Sequence, residues 1–267
     1  MSQEPQARKL VKQYIGSDEF INGKERFCLW LVDAPFSDVK KCPSVIKRIE
    51  QVRAFRLASS AKPTIEKSET PHLFFSITHP QTRYLAVPEV SSENRHYIPI
   101  GYLDANVIAS NKLLVIPNAR TYHFGVLTSN VHMAWTRAVC GRLEMRYQYS
   151  KAIVYNTFPW PDATDKQKTE IEKLAQAVLA ARVLYPDSTL ADMYGEYSMP
   201  FHPKLVKAHQ NLDRAVMKLY GLSHDTPEPA IVALLMERYQ QLTNAQQNLV
   251  EQSPKPRPAR QRKLAQP

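Results

Sequence analysis

Glycine is scarce in this sequence, with seven residues among 267. Enzymes that bind dinucleotides, S-adenosylmethionine or nucleotide phosphates use glycines where the backbone must come close to the cofactor. No two glycines here stand in Gly-x-Gly spacing, and the segment Asn156-Thr-Phe-Pro-Trp160 only superficially resembles the Asn-Pro-Pro-aromatic loop of amino-methyltransferases. The sequence therefore predicts no cofactor site within this chain.

Cysteines and long apolar runs are also few. The cysteines at positions 28, 42 and 140 fit no zinc-binding spacing, and their odd number favours reduced thiols in a cytoplasm. No run approaches the roughly 18 apolar residues that span a bilayer. The first nine residues lack the apolar segment of a secretory signal. We therefore expect a cytoplasmic protein with no membrane partner.

Recognisable catalytic and metal-binding patterns are missing as well. Asp38-Val-Lys40, with Asp33 upstream, matches the letters of a nuclease motif, but such triplets are common and Asp38 stands at an expected helix start. His123 and His132 have no third ligand nearby in the sequence, and no serine lies in a nucleophile elbow. We predict no catalytic residue and no metal ligand, which favours a binding module.

Positive charge is abundant but unevenly distributed. The net charge is +10, and residues 1–160 alone have eight more lysines and arginines than acidic residues. Residues 161–250 carry a small acidic excess, whereas 251–267 are basic again. This distribution predicts an anion-binding face on the first 160 residues and the tail, and it favours a nucleic-acid partner. A mildly basic domain without such a partner remains the alternative.

The composition changes at 159–164, which predicts a domain boundary. Before it, we expect a helix over 38–59, a second helix over 130–140 ended by Gly141, and short strands at 27–33, 74–78, 84–87, 97–100, 113–116 and 122–127. After it, Thr164 begins a capping box, and apolar residues recur at helical spacing towards 185, over 202–220 and from 226 onwards.

The expected fold class is therefore α+β. A mixed β-sheet domain with packed helices occupies residues 1–161, and for the first 13 residues both order and disorder stay open. A small α-helical bundle occupies 162–245. The polar, proline-rich and basic segment 246–267 is expected to be a disordered tail.

The stretches 123–142 and 153–161 are the most informative part of the chain, because they combine aromatic, basic and hydroxyl side chains. Ser129 and Asn130 stand at an expected helix N-terminus, where free N–H groups favour an anion. Trp135 shares a helical face with Val131 and Val139 and is predicted to lie in the core. Trp160, between two prolines, is predicted to pack between the domains.

Seven stretches in this order resemble the DNA-recognition half of MmeI-like (type IIL) restriction–modification enzymes. They include Ser91-Ser-Glu-Asn-Arg95 and Phe158-Pro-Trp-Pro161, and they cover 14–23, 28–32, 53–59, 90–101, 123–142, 147–161 and 212–221. The resemblance implies a target recognition domain followed by a C-terminal helical domain. It also implies that the nuclease and the adenine-N6 methyltransferase, with its S-adenosylmethionine, lie upstream of Met1.

On this resemblance the expected partner is double-stranded DNA, bound in a sequence-specific manner. Three interpretations stay open. The chain is a recognition module, a specificity subunit completed in trans by a methyltransferase or nuclease chain encoded upstream, or a non-functional gene remnant.

DNA recognition divides the expected site residues into two classes. Side chains on loops that leave the sheet are suited to read base edges, and these are Glu93, Asn94, Arg95, His96, Asn118, Ala119, Arg120, Lys151 and Ile153. Hydroxyl and basic groups are suited to contact phosphates, which position the protein without reading sequence, and these are Ser91, Ser92, Thr128, Ser129, Arg137, Arg142, Arg146, Tyr147 and Tyr149.

Overall fold

The fold mixes three small sheets with ten α-helices in the part of the chain that the computed structural model describes, residues 4–252. The helices are α1 Ser17–Asn22, α2 Phe36–Lys40, α3 Pro43–Leu57, α4 Lys62–Glu66, α5 Thr121–Leu127, α6 Asn130–Val139, α7 Asp165–Val183, α8 Leu190–Tyr194, α9 Pro203–Leu219 and α10 Glu228–Gln252. Short 3₁₀-helices at Pro5–Leu10, Lys67–Glu69 and Met199–Phe201, and a π-helical turn at Lys151–Tyr155, complete the helical elements.

Each described sheet has three strands. The strands are β1 Val11–Ile15, β2 Phe27–Leu29, β3 Tyr84–Pro88, β4 Val90–Ser91, β5 Gly101–Leu103, β6 Val107–Ala109, β7 Leu113–Pro117, β8 Gly141–Leu143 and β9 Arg146–Gln148. The first sheet has the order β2-β1-β6, with β1 and β6 parallel. The other two, β5-β3-β7 and β4-β9-β8, are antiparallel throughout. This mixture confirms the α+β class.

The main hydrophobic core runs through both the sheet-containing part and the C-terminal helices. Phe124 and Trp135, on α5 and α6, lie in one continuous cluster with Val178 of α7 and Leu212 of α9. Trp135 is 1% exposed, which confirms its predicted core position. A Cβ atom on Gly125 would lie 2.8 Å from Ile171 Cγ2, so the absence of a side chain there allows α5 to approach α7 closely.

A buried polar network connects the same two parts. The Asp213 carboxylate of α9 accepts the Asn130 backbone N–H at 2.8 Å and the Tyr97 hydroxyl at 2.5 Å. Burial raises the pKa of Asp213 to about 6, although both hydrogen bonds oppose that rise. The Tyr97 ring stacks on His209 with the ring centroids 4.1 Å apart. The network therefore joins α6, α9 and the segment before β5.

A second set of hydrogen bonds extends this network to α7 and α8. Arg182 donates to the Tyr194 hydroxyl from Nε at 2.9 Å and from Nη2 at 2.6 Å, and to the Ile100 carbonyl at 2.7 Å. The Tyr194 oxygen lies 2.7 Å from His209 Nε2, and burial lowers the pKa of His209. A neutral imidazole is the form whose Nε2 can accept a hydrogen bond from the Tyr194 hydroxyl.

Several predicted elements are confirmed. Strands at 84–87 and 113–116 are present as β3 and β7, and the helix at 130–140 is α6. Thr164 accepts the Gln167 backbone N–H at the start of α7, as the capping box requires. Gly221 follows α9 with a φ of +74°, the left-handed conformation expected of a residue that ends a helix.

Three predicted strands were wrong. Residues 122–127 form helix α5. The prediction failed because a helix that is buried on nearly every side shows the same apolar run as a buried strand. Residues 97–100 form no ladder, since Ile98 N–H is directed to Met133 Sδ and the Ile100 carbonyl accepts from Arg182. Residues 74–78 also pair with no strand, and the Phe74 ring packs against the rings of Tyr14 and Trp30.

Other boundaries also required correction. The predicted helix 38–59 is broken before Pro43 into α2 and α3, and Phe55 is 76% exposed on it. The predicted buried strand 27–33 is a three-residue edge strand, on which Phe27 is 53% exposed. Gly141 begins β8 and does not end α6 in a left-handed conformation.

The two ends of the described chain also bear on the sequence predictions. Residues 5–15, part of which the sequence left open between order and disorder, form a 3₁₀-helix and strand β1. Helix α10 continues to Gln252, so the segment 246–252 is helical. The rest of the predicted tail lies outside the described residues.

We expect Gly125→Val to lower the free energy of unfolding by about 2–3 kcal/mol, because the added atoms would overlap Ile171 and Ala175. Gly141→Val is the matched control, since the nearest atom to its added Cβ is 3.8 Å away and valine favours strands. Urea unfolding of both variants measures the effect. Equal stability of the two would contradict the close approach of α5 and α7.

We also expect a pH-dependent stability difference between the protein and Asp213→Asn. The folded-state pKa of Asp213, about 6, exceeds its ordinary value of 3.8, so the folded state binds this proton more tightly. Its stabilisation is complete below pH 3.8 and is lost as the pH rises through 6, by about 3 kcal/mol. Asparagine does not titrate, so urea unfolding between pH 4 and 7.5 should show the difference. Parallel pH profiles would contradict it.

Candidate functional site

The segment of residues 91–96, which we call the polar loop, holds four of the predicted base-reading residues. It leaves strand β4 beside strand β9. The Tyr147 hydroxyl donates to the Glu93 carbonyl at 3.3 Å, and Arg137 Nη2 donates to the His96 carbonyl at 3.2 Å. Arg95 Nη1 donates to Ser91 Oγ at 3.4 Å, and burial lowers the pKa of this guanidinium. These hydrogen bonds fix the backbone of the loop, and the side chains of Asn94 and His96 remain exposed.

The hairpin formed by β8 and β9 presents two exposed arginines. The Arg142 guanidinium lies over the Tyr147 ring, 4.2 Å from its centroid. Arg146 Nη2 lies 2.8 Å from the Glu144 carboxylate, and Glu144 occupies the left-handed region at the hairpin turn. Because both arginines remain largely exposed, their charges can still interact with an external anion.

A groove lies beyond the other end of β9. Two adjoining cavities of about 650 and 480 Å³ share Asn111, Leu113, Leu114 and Lys151 in their walls. We call them together the Lys151 groove. Gln148 and Ile153 are exposed on the smaller cavity, and Ile153 is 53% exposed. The groove therefore combines an apolar floor with polar and basic side chains at its edge.

Backbone hydrogen bonds of Glu89 fix both sides of this groove. Glu89 N–H donates to the Lys112 carbonyl at 3.0 Å, and Tyr149 N–H donates to the Glu89 carbonyl at 2.7 Å. Lys112 Nζ lies 3.1 Å from the Glu89 carboxylate, which balances its charge. The Ser150 hydroxyl accepts the Ile153 N–H and so starts the turn that carries Lys151.

The loop at residues 118–120, which holds three more of the predicted base-reading residues, is engaged within the protein. Asn118 has a φ of +55°, and the Ala119 carbonyl accepts the Tyr102 hydroxyl at 3.2 Å. The Arg120 guanidinium is paired with Glu172 of α7 through nitrogen–oxygen distances of 2.9 and 3.0 Å. Only the exposed Asn118 side chain faces solvent without a close ionic partner.

Five residues predicted to contact phosphate are buried, and their polar atoms have structural roles or are enclosed. Ser129 is fully buried as the N-cap of α6, and the N-terminal N–H of Asn130 already meets the Asp213 carboxylate. Tyr149 is 2% exposed, with its hydroxyl 3.0 Å from His132 Nε2. The structure thus gives an external phosphate no access to this helix end. The five are Ser91, Thr128, Ser129, Tyr147 and Tyr149.

The predicted residues therefore separate into three surfaces. The polar loop and the β8–β9 hairpin lie at one end of β9, the Lys151 groove lies at the other, and the 118–120 loop turns towards α7. Among the remaining predicted phosphate contacts, Ser92 is half-buried and Arg137 is paired with Glu228 at 2.8 Å.

Two groove residues were missed by sequence reasoning, namely Asn111 and Gln148. A sequence signal existed for Gln148, since it lies between two tyrosines in a strand and must point away from them. Asn111 gave no signal, because only the fold brings its turn beside Lys151.

Metal and membrane sites are not found in the described part of the chain. Over residues 4–252, no group of three histidine, cysteine or acidic side chains could hold a metal ion. None of the helices described combines the length and the apolar character needed to cross a membrane.

Comparisons with known proteins extend over nearly the whole chain. The family model described as "MmeI, target recognition domain" matches residues 1–162, and "MmeI, C-terminal domain" matches residues 163–247. DNA methyltransferase A of Bacillus subtilis (strain 168) is 39% identical over 240 residues, which are 90% of this chain and 27% of that protein.

A solved structure is similar in both sequence and fold. The type IIL restriction–modification enzyme MmeI, determined in complex with DNA, superposes with a TM-score of 0.87 at 48% identity. The match covers 91% of this chain and 32% of that enzyme, so the chain spans about a third of its relative's length. With two family models matched in succession, the chain belongs to the MmeI family of restriction–modification proteins and corresponds to its target recognition and C-terminal regions.

Proposed function

We propose that this chain binds double-stranded DNA at a preferred short site, as the recognition portion of a restriction–modification DNA methyltransferase. The observation that supports this proposal most directly is the likeness to MmeI, which was solved in complex with DNA. A TM-score of 0.87 at 48% identity makes a shared binding surface the simplest expectation. The excess of positive charge in residues 1–160 is consistent with it.

The exposed side chains fall into two groups, one suited to read bases and one suited to contact phosphates. Asn94, His96 and Asn118 lie on loops, and Lys151 and Ile153 lie at the groove, so these five are the proposed base readers. Arg142 and Arg146 on the β8–β9 hairpin are the proposed phosphate contacts. Glu93, Arg95, Ala119 and Arg120 are less accessible or already paired, and for them we propose a supporting role.

We further propose that residues 1–161 read the DNA and that residues 162–245 hold this reading unit in position. The hydrogen bonds of Arg182 and Asp213 support this division, since both donate to or accept from the segment 97–130. A rigid support matters because base contacts require side chains positioned to within a fraction of an ångström.

The proposed chemistry, methyl transfer to adenine N6, requires S-adenosylmethionine and catalytic residues from sequence outside this chain. Both relatives are much longer than the matched region, which makes up 27% of the first and 32% of the second. A specificity subunit that serves a separate methyltransferase chain would satisfy the same requirement.

Salt-dependent DNA affinity provides the first test. We expect selection from random duplexes at about 150 mM salt to yield a short motif. Arg142→Ala and Arg146→Ala should each weaken binding to all duplexes alike and reduce the salt slope by about one. Lys24→Ala is the matched control, because Lys24 is exposed and paired with Asp18 on α1. Failure to recover a motif, with heparin fragments bound equally well, would refute DNA recognition.

Methyl transfer provides the second test. Alone, the chain should transfer no methyl group from labelled S-adenosylmethionine. Mixed with a chain that contains a glycine-rich cofactor motif and an Asn-Pro-Pro-aromatic motif from the same locus, it should direct N6-methyladenine to the selected site. Label on cytosine, or methylation that ignores the selected motif, would contradict the proposed chemistry.

A further inference from the structure

We infer that Asn111 and Gln148 read adenine at the Lys151 groove. This inference rests on the proposed function, since it assumes that the groove meets DNA. It goes further, because it names two new specificity-determining residues and the base that they recognise. The groove places their side-chain amides beside Lys151 and Ile153.

Strand alternation directs Gln148 outward. On β9, Tyr147 and Tyr149 are 3% and 2% exposed, whereas Arg146 and Gln148 are exposed on the opposite face. The backbone of Gln148 pairs with Val90 and Gly141 on the two neighbouring strands, so the residue is held at the end of the central strand of its sheet. The backbone of Gln148 is thus fixed, and its side chain is exposed and can contact a ligand.

Asn111 stands in the turn between β6 and β7, where local structure does not require an amide. Its φ is not in the left-handed region, unlike that of Asn118. The side chain of Ser110, not that of Asn111, accepts the Lys112 N–H at 3.2 Å and closes the turn. Among residues 4–252, the side-chain amides of Asn111 and Gln148 form no hydrogen bond with another group, so both remain available.

The two residues are held in a fixed relation by Glu89. Its N–H binds the carbonyl of Lys112, next to Asn111, and its carbonyl binds the N–H of Tyr149, next to Gln148. A fixed backbone favours specific recognition, because little backbone conformational entropy is lost on binding. The Glu89 charge is balanced by Lys112 and does not repel DNA.

The chemistry of the groove edge then selects the base. A carboxamide offers one donor and one acceptor, which match adenine N7 and N6 in the major groove. Lysine matches guanine O6 and N7, and an exposed isoleucine can contact the thymine methyl group. Asn111 and Gln148 are therefore the groove residues whose pattern fits adenine.

The test is duplex selection with the full chain and single variants. We expect the wild-type motif to contain adenine, and we expect Asn111→Ala and Gln148→Ala each to reduce discrimination at one adenine position roughly tenfold. Gln148→Glu should shift preference at its position towards cytosine, whose amino group donates to a carboxylate. Both positions are exposed, so the three variants should fold, which circular dichroism checks.

Asn106→Ala is the matched control. Asn106 is an exposed turn residue at the opposite end of β6 and lies outside the groove, so its loss should leave the motif unchanged. A wild-type motif that both alanine variants retain in full would overturn this inference but leave DNA recognition intact. Absence of any motif with the wild-type chain would overturn both.

Discussion

The Asp213 carboxylate provides the contact on which much of the structure depends. It lies in the C-terminal helices, yet its two hydrogen bonds reach the N-terminus of α6 and the Tyr97 hydroxyl in the sheet-containing part. A buried carboxylate is costly unless its oxygens are satisfied. The position of α6 relative to α9 is thereby restricted to arrangements that keep both bonds. The position of α6 in turn determines where β8, β9 and the turn at Lys151–Tyr155 lie, because they follow it directly in the chain.

This network explains why the proposed recognition surfaces lie where they do. The helix N-terminus that could attract a phosphate is occupied by an anion of the protein itself, so that external contacts fall to exposed loops. Strand β9 connects those loops. The hairpin turn precedes its first residue, Arg146, and its last residue, Gln148, lines the Lys151 groove, about 7 Å away at roughly 3.3 Å per residue. Base readers can differ there without disturbing the buried network, which lies elsewhere.

The elements that the sequence predicts correctly are those in which one local rule dominates. The Thr164 capping box and the stripes of α7 and α9 emerged directly from spacing, because a surface helix buries only one face. It failed at α5, whose residues are nearly all buried, and at 97–100, whose backbone groups bond to side chains distant in sequence. Among the proposed site residues, Lys151 and Arg142 are exposed as expected, whereas Tyr149 and Ser129 are buried.

The sequence by itself determined the family, the α+β class and the loops that hold most of the exposed polar side chains. These properties depend on residue order, periodicity and composition, which are local or cumulative. The tertiary structure alone decided that the Asn130 N–H meets Asp213, that Arg120 pairs with Glu172, and that Asn111 lies beside Lys151. These pairings join residues between 40 and about 85 positions apart in the chain, and no periodic pattern encodes them, because each depends on how separate elements pack together.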